Sequence, residues 1–189
     1  MYVEQLSYNI SEARWGCWAG SVVWPAALFL GNYLAEHKLC LSKPTVLELG
    51  SGMGVPGIVA GCLGAKRVIL TEQSPLDELL GDNIRKLFPD ANSSPYQVMT
   101  LDWNECEVVN NGEPVDLLLI SDCIFTGLYG DSWKLLASVV NVYLQGQDAI
   151  CLNSVERRCV DDGVDEFIAY CLQEFNIHTR LVWHRARKD

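Results

Sequence analysis

The stretch Val46-Leu47-Glu48-Leu49-Gly50-Ser51-Gly52-Met53-Gly54 decides the fold of this 189-residue chain. It predicts an apolar strand that ends in a glycine-rich turn, with one carboxylate two residues before the first glycine. Glycines at the carboxyl end of a strand let the backbone approach a ligand closely, and the helix that follows offers unpaired N–H groups. The stretch therefore predicts a site for a nucleotide-type cofactor.

Strand-like and helix-like segments alternate on both sides of this turn. A helix is predicted for residues 24–39, with Pro25 in its first turn. Strands are predicted at residues 45–49, 67–71, 96–101, 115–120, 148–153 and 177–183, and further helices at 55–63, 76–88, 131–141 and 164–175. The alternation favours a Rossmann-like α/β fold, an open and mostly parallel sheet of six to seven strands with helices on both faces. We expect a single domain over residues 1–189, with an N-terminal segment at 1–23 and the core sheet and helices at 45–184.

Composition narrows the classes of function. A formal net charge of −10 argues against a nucleic-acid binder, because binding to a phosphate backbone depends on clustered Lys and Arg. No apolar run approaches the roughly 18 residues of a membrane span, and the first residues do not resemble a signal peptide. We therefore expect no nucleic-acid partner, no membrane partner, and a protein of the cytoplasm that can also enter the nucleus.

The cysteines and histidines give no sign of a metal site. The eight cysteines contain no CxxC pair, and the three histidines show no ligand spacing. Cys123 has no sequence neighbour that would lower its pKa, which argues against a nucleophile. We expect reduced thiols and no bound metal.

The glycine turn fits two cofactor-binding motifs that begin at different residues. From Gly52 to Gly57 it fits the GxGxxG dinucleotide fingerprint, with Glu72 at the distance of a ribose-binding acid. That match begins two residues late, since the first glycine after the strand is Gly50. From Glu48 the pattern is E-x-G-x-G-x-G, which resembles the motif of class I, seven-strand methyltransferases. This second resemblance implies S-adenosylmethionine as the cofactor and leaves a nicotinamide dinucleotide as the alternative.

A methyl-donor site must hold a ribose diol, an adenine ring and a charged amino-acid end. Glu72 ends the second predicted strand and can accept hydrogen bonds from both ribose hydroxyls, while Asp102-Trp103 after the third strand fits an adenine site. Taken singly, Glu72 could cap a helix and Trp103 could be a packing residue. As a set they fall at successive strand ends on one edge of the sheet, where open α/β sheets bind ligands. With the glycine turn, the predicted cofactor residues are Glu48, Gly50, Ser51, Gly52, Gly54, Glu72, Asp102 and Trp103.

A closer resemblance lies before the first strand. The run Gly20-Ser21-Val22-Val23-Trp24-Pro25-Ala26-Ala27 resembles the G-x-x-x-W-x-A-A motif of the protein-lysine methyltransferases called family 16, or methyltransferase-like 21 relatives. The resemblance implies that Trp24 borders the cofactor, whereas the residue pattern alone would also suit a core tryptophan. It covers residues 20–153 and implies a cofactor contact at Ser121 as well.

The acceptor side of the predicted site follows the fourth strand. The family usually shows D-x-x-Y there, and this chain has Asp122-Cys123-Ile124-Phe125. Asp122 is the candidate for orienting an acceptor amine, or else a capping residue. Phe125 keeps an aromatic wall for cation–π contact and lacks the phenol.

The resemblance implies an S-adenosylmethionine-dependent protein-lysine N-methyltransferase whose partner is a non-histone protein with an accessible lysine. Two other classes stay open at this point. One is a non-catalytic methyltransferase-fold module that acts through protein contacts, suggested by Phe125. The other is a small-molecule methyltransferase.

Overall fold

The computed structural model describes residues 19–38, 45–90, 94–105, 115–146 and 148–183. Five parallel strands form one sheet in this part of the chain: β1 (Thr45–Leu49), β2 (Arg67–Glu72), β3 (Tyr96–Thr100), β4 (Leu117–Ser121) and β5 (Ile150–Ser154). Their order is β3-β2-β1-β4-β5. The strand order therefore reverses beside β1, which is the position where open α/β sheets bind ligands.

Six α-helices accompany these strands in the described ranges. They are α1 (Pro25–His37), α2 (Val55–Cys62), α3 (Leu76–Leu87), α4 (Thr126–Tyr129), α5 (Trp133–Tyr143) and α6 (Val164–Phe175). One apolar cluster joins α1, α2 and α3 to one face of the sheet, and a second joins α5 and α6 to the opposite face. None of the described helices is long and apolar enough to cross a membrane.

Alternation along the central strands divides the core between these two clusters. In β4, Leu117 and Leu119 face the first cluster, while Leu118 and Ile120 face the second. All four are fully buried, as expected of a parallel strand that is covered by helices on both sides. The parallel pairing of β1 with β2 and with β4 places the carboxyl ends of these three strands side by side along one edge.

The predicted α/β fold is confirmed, with helix and strand boundaries close to those expected from the sequence. The predicted number of strands is wrong, because five are present in the described residues and residues 177–183 are irregular. Trp183 stacks on Phe29 of α1 at 4.3 Å between ring centroids, and Leu181 is 79% exposed. An aromatic pair of this kind contributes about 0.5–1.5 kcal/mol beyond the area that it buries. Most of the predicted N-terminal segment 1–23 lies outside the described residues, so the predicted domain limits stay a prediction.

Gly57 sets how closely α2 approaches the sheet. An added Cβ would lie 2.3 Å from Cδ2 of Leu70 and 2.7 Å from Oε2 of Glu48. We expect Gly57→Ala to lower the free energy of unfolding by about 1–3 kcal/mol through overpacking, measured by urea denaturation. The control is Gly146→Ala, where the Cβ would meet Ala149 at an ordinary 3.5 Å. Equal stabilities of the two variants would contradict this account of the packing.

Candidate active site

A cavity of about 570 Å³ opens at the carboxyl ends of the strands. It brings together residues from the glycine turn, from the ends of β2 and β4, from the turn after β3, and from the segment before α1. Most of the residues predicted from the sequence line it: Trp24, Gly50, Ser51, Gly52, Glu72, Asp102, Trp103, Ser121 and Asp122. Glu48, Gly54 and Phe125 are not among the lining residues.

The glycine turn forms one wall of the cavity with a left-handed backbone. Gly50 has φ +58° and Gly52 has φ +52°, which L side chains rarely adopt. A Cβ at Gly50 would lie 2.7 Å from Sγ of Cys123, and one at Gly52 would lie 3.1 Å from the carbonyl oxygen of Gly20. The turn thus offers bare backbone to a ligand, and side chains at these positions would disturb both its shape and its neighbours.

Glu72 lies beside this wall, and its carboxylate holds the turn. Oε2 accepts a hydrogen bond from Gly52 N–H at 2.8 Å, and Oε1 accepts one from Gln73 N–H at 2.9 Å. Burial raises the pKa of Glu72, while both backbone hydrogen bonds oppose that rise. Each carboxylate oxygen keeps one lone pair, so the group can still accept two hydrogen bonds from a diol.

Asp102 and Trp103 form the side of the cavity next to β3. Asp102 Oδ1 accepts hydrogen bonds from the backbone and side-chain nitrogens of Asn104, both at 2.9 Å, which lower the pKa of the carboxyl. The Trp103 ring would lie 3.3 Å from a Cβ at Gly50 and also packs against the second core cluster. Trp103 is therefore both a wall of the cavity and a packing residue.

Trp24 and Ser121 line the cavity from two other elements. Trp24 is the residue before α1, and its Nε1–H donates to the carbonyl of Ala19 at 2.8 Å. This bond fixes the indole against the short 3₁₀ turn at Ala19–Ser21. Ser121 ends β4, in register with Ser154 of β5.

Asp122 follows β4, and its carboxylate already accepts hydrogen bonds from the protein. It has φ +56°, a conformation that aspartate tolerates better than most residues, and its N–H donates to Ser154 at 2.9 Å. The side chain is almost fully buried and receives two hydrogen bonds from Arg158, at 2.9 and 2.8 Å, plus one from Glu156 N–H at 3.2 Å. Asp122 is therefore one half of a buried ion pair.

Phe125 lies behind this ion pair. Its ring centroid is 5.1 Å from Cζ of Arg158, and the Trp24 ring centroid is 5.2 Å from the same atom. The cation–π contact that the sequence predicts for Phe125 is thus made by a residue of the protein itself.

Glu48 and Gly54 support the cavity from behind. Glu48 is fully buried, and its Oε2 accepts a hydrogen bond from Gly57 N–H at 2.9 Å, which joins β1 to the first turn of α2. Gly54 precedes α2 with φ +78°, and a Cβ there would lie 2.9 Å from Leu80. Both residues shape the glycine turn at a distance from the cavity surface.

Cys123 fills the space beneath Gly50. Its Sγ lies 3.5 Å from the carbonyl oxygens of Leu49 and Ser121. Burial raises the pKa of the thiol, with the nearby Glu72 and Glu48 carboxylates adding to the rise. Cys123 therefore stays protonated at neutral pH and acts as a packing residue.

Arg158, which pairs with Asp122, and Tyr129, which lines the cavity, are polar residues that the sequence did not predict. Arg158 follows β5, so its position after a strand at the ligand-binding edge was an available signal. Tyr129 ends α4 and lines the cavity, and burial raises the pKa of its phenol to about 12. Tyr129 lies four positions after Phe125, so the cavity has a neutral phenol although the chain lacks the tyrosine of the D-x-x-Y pattern.

The parallel sheet, the left-handed glycine turn and the acidic residue at the end of β2 together define an open α/β protein with a nucleotide-type cofactor site. A sequence model described as lysine methyltransferase matches residues 4–173. The chain belongs to this lysine methyltransferase family. The predicted class of enzyme and its cofactor are thereby confirmed.

Comparison with individual proteins agrees with this family. The chain is 31% identical over 157 residues to the protein N-lysine methyltransferase METTL21A of Danio rerio, covering 83% of this chain and 69% of that protein. It is 32% identical over 175 residues to secreted RxLR effector protein 48 of Plasmopara viticola, covering 85% of this chain and 82% of that one. The solved Trypanosoma brucei PRMT1 enzyme–prozyme complex with AdoHcy shares the fold, with a TM-score of 0.52 and 17% identity over 67% of this chain and 38% of that one.

Glu48 makes the stability of the protein depend on pH. Burial raises its pKa from 4.5 to about 8, and Oε1 has no hydrogen-bond partner among the described residues. Between pH 4.5 and 8 the folded chain holds a proton that the unfolded chain has lost, so stability falls as pH rises through this window. The slope from this one group is at most about 1.4 kcal/mol per pH unit.

We expect Glu48→Gln to flatten the decline in the free energy of unfolding between pH 5 and pH 8, measured by urea denaturation at several pH values. The amide keeps an oxygen for the Gly57 hydrogen bond and carries no titratable proton. The matched control is Glu174→Gln on the exposed end of α6. An identical pH dependence for wild type and Glu48→Gln would refute the buried protonated carboxyl.

Proposed function

We propose that this chain transfers a methyl group from S-adenosylmethionine to the side-chain amine of a lysine in a non-histone protein. One observation carries the proposal: a single cavity is lined by Glu72 beside bare glycine backbone and by Asp122 together with the aromatic residues Trp24 and Tyr129. The surroundings of Glu72, the donor end, suit the methyl donor, and those of Asp122, the acceptor end, suit a cationic amine.

At the donor end, the free lone pairs of Glu72 would hold the ribose diol. Trp103 would pack on the adenine ring, and the Asp102 region would meet the polar edge of the base. The left-handed turn at Gly50 and Gly52 presents backbone without side chains on the cavity wall, which would let the amino-acid end of the donor approach closely. When bound, S-adenosylmethionine supplies a methyl group on a cationic sulfur, which an amine can displace in line.

At the acceptor end, the chain must orient the amine and favour its neutral form. A lysine amine with a pKa of about 10.4 loses its proton at pH 7 at a cost of about 4–5 kcal/mol. Enclosure in the cavity lowers that pKa because burial disfavours the ammonium form. Asp122 Oδ2 accepts a hydrogen bond from Arg158 and retains one lone pair that can accept another from the amine.

Tyr129 completes this end of the site. Its phenol lies on the cavity wall and is neutral at physiological pH, so it can accept or donate a hydrogen bond at the acceptor side. The absence of a tyrosine at position 125 therefore does not leave the site without a phenol.

We propose that the protein acts in the cytoplasm and the nucleus. The described cysteines, Cys62, Cys123, Cys151, Cys159 and Cys171, are all free thiols, which suits a reducing compartment. The net charge of −10 supports a protein acceptor over nucleic acid.

A change at Glu72 tests the donor end. We expect Glu72→Gln to weaken binding of S-adenosylhomocysteine at least about tenfold, measured by calorimetry, because a charged acceptor of ribose hydrogen bonds becomes neutral. Glu174→Gln on the exposed end of α6 is the matched control and should bind as wild type does. Wild-type affinity in Glu72→Gln would remove Glu72 from the donor site.

A labelling experiment tests the activity. Incubating the protein with methyl-labelled S-adenosylmethionine and cell extract should label a discrete protein band, and mass spectrometry of that band should show a methylated lysine. We expect Asp122→Asn to lower the initial labelling rate at least about tenfold, because loss of the charged hydrogen-bond acceptor affects amine orientation and the Arg158 contact. Asparagine is chosen because it also tolerates the positive φ at this position.

Asp131→Asn is the control for this variant, since Asp131 is exposed and pairs with Lys134. Donor binding without any labelled product would favour the non-catalytic module. A labelled product that resists protease would favour a small-molecule methyltransferase, and a methylated arginine would refute lysine as the acceptor.

A further inference from the structure

Arg158 contacts both residues that the sequence predicts for the acceptor side, Asp122 and Phe125, and it also contacts Trp24. Its guanidinium forms a two-pronged ion pair with Asp122, at 2.9 and 2.8 Å. The same guanidinium lies 5.2 Å from the ring centroid of Trp24 and 5.1 Å from that of Phe125. The side chain is 20% exposed, so the pair is largely shielded from solvent. An acceptor amine would therefore meet a closed ion pair.

The loop that carries Arg158 is fixed at several points. Asp162 is buried, and its carboxylate accepts hydrogen bonds from Arg157 Nε at 2.8 Å, from Arg158 N–H at 3.3 Å and from Val164 N–H at 3.2 Å. Arg157 also forms a two-pronged pair with Asp165, at 3.0 and 2.9 Å. These bonds tie the segment between β5 and α6 to the start of α6. Arg158 is thus held by a fixed loop behind Asp122 and Trp24, two residues that line the cavity, and is not itself among the lining residues.

We propose that Arg158 is a positioning residue for methyl transfer. Its guanidinium cancels the charge of the Asp122 carboxylate and leaves one lone pair of Oδ2 free to orient the acceptor amine. This inference rests on the proposed function and adds how the acceptor end controls the protonation of its substrate. Two effects of the Asp122 carboxylate on the amine are thereby separated. Asp122 still accepts a hydrogen bond that orients the amine, while Arg158 offsets the negative charge of the carboxylate.

The physical reason is the opposing effect of a bare carboxylate. An unpaired carboxylate next to an amine raises the pKa of that amine by about 1–3 units and so reduces the reactive neutral form about 10- to 1000-fold. A guanidinium that is hydrogen-bonded to both carboxylate oxygens offsets the negative charge of the carboxylate at short range. The amine then keeps a hydrogen-bond partner while its pKa stays closer to the value set by burial.

Other titratable groups surround the Asp122–Arg158 ion pair, and their charges must be considered beside that of Asp122. Glu156 accepts a bond from Arg158 at 3.3 Å and is partly exposed, so solvent screens it. Asp162 is paired with Arg157, and Tyr129 of α4 is a neutral phenol. Glu72 at the end of β2 lies at the donor end. Asp122 is therefore the carboxylate whose charge Arg158 chiefly offsets.

The test uses two nucleosides that differ in charge at the reacting position. Sinefungin carries an ammonium in place of the transferred methyl group, and S-adenosylhomocysteine carries nothing there. We expect Arg158→Met to raise the affinity ratio of sinefungin over S-adenosylhomocysteine about tenfold, measured by calorimetry at pH 7, because Asp122 is left unpaired. Arg158→Lys keeps a positive charge and should stay near the wild-type ratio, and the double variant Asp122→Asn with Arg158→Met should return to it.

The pH dependence of acceptor labelling gives a second readout. With Arg158→Met, we expect the labelling rate of the extract band to rise at a pH about one unit higher than with wild type. The reason is that the acceptor amine keeps its proton up to a higher pH. A purely structural role for Arg158 would lower binding of both nucleosides and leave their ratio and the position of the pH profile unchanged.

The outcomes separate this inference from the proposed function. An unchanged affinity ratio in Arg158→Met, or a double variant that keeps the altered ratio, would overturn the role of Arg158. Failure of wild type to bind either nucleoside would overturn the proposed function and the inference with it. Nucleoside binding that responds to Arg158 as expected, without any labelled acceptor, would support the charge role and refute the enzyme activity.

Discussion

The hydrogen bond from Gly52 N–H to the Glu72 carboxylate joins the ends of β1 and β2, and it forms because the chain turns left-handed at Gly50 and Gly52. Side chains at these two positions would meet Cys123 and the backbone of Gly20. The segment before α1, the glycine turn and the loop after β4 can therefore approach one another only around bare backbone. The cavity exists because of this close approach.

Three acidic side chains around this turn are buried, and each is accommodated differently. Glu48 is enclosed behind the turn and holds a proton near neutral pH. Glu72 is satisfied by backbone N–H groups and keeps lone pairs toward the cavity. Asp122 is paired with a guanidinium. A carboxyl group in a buried position must be neutralised, hydrogen-bonded or paired, and the site uses all three solutions within one sheet edge.

Sequence reasoning succeeded where a residue's role follows from its place at a strand end. The glycine turn, Glu72, Asp102-Trp103 and Asp122 were all expected at one edge of the sheet, and all but the last of the glycines line the cavity. Residues 177–183, predicted as a strand, are irregular, and Trp183 packs on aromatic residues of α1. Glu48 stays a predicted cofactor residue, and its side chain accepts a hydrogen bond from Gly57 of α2. Spacing alone does not tell which side of a turn a carboxylate faces.

The sequence by itself determined the class of fold and the edge of the sheet that carries the cavity, because strand periodicity and glycine spacing are local properties. Only the tertiary structure decided the surroundings of Asp122. Arg158 lies 36 positions from Asp122 along the chain, and its contacts with Trp24 and Phe125 join three separate segments. No local pattern encodes which guanidinium meets which carboxylate. The pairing of Asp122 with Arg158 arises because β4 and β5 are neighbours in the sheet and because hydrogen bonds fix the loop between β5 and α6.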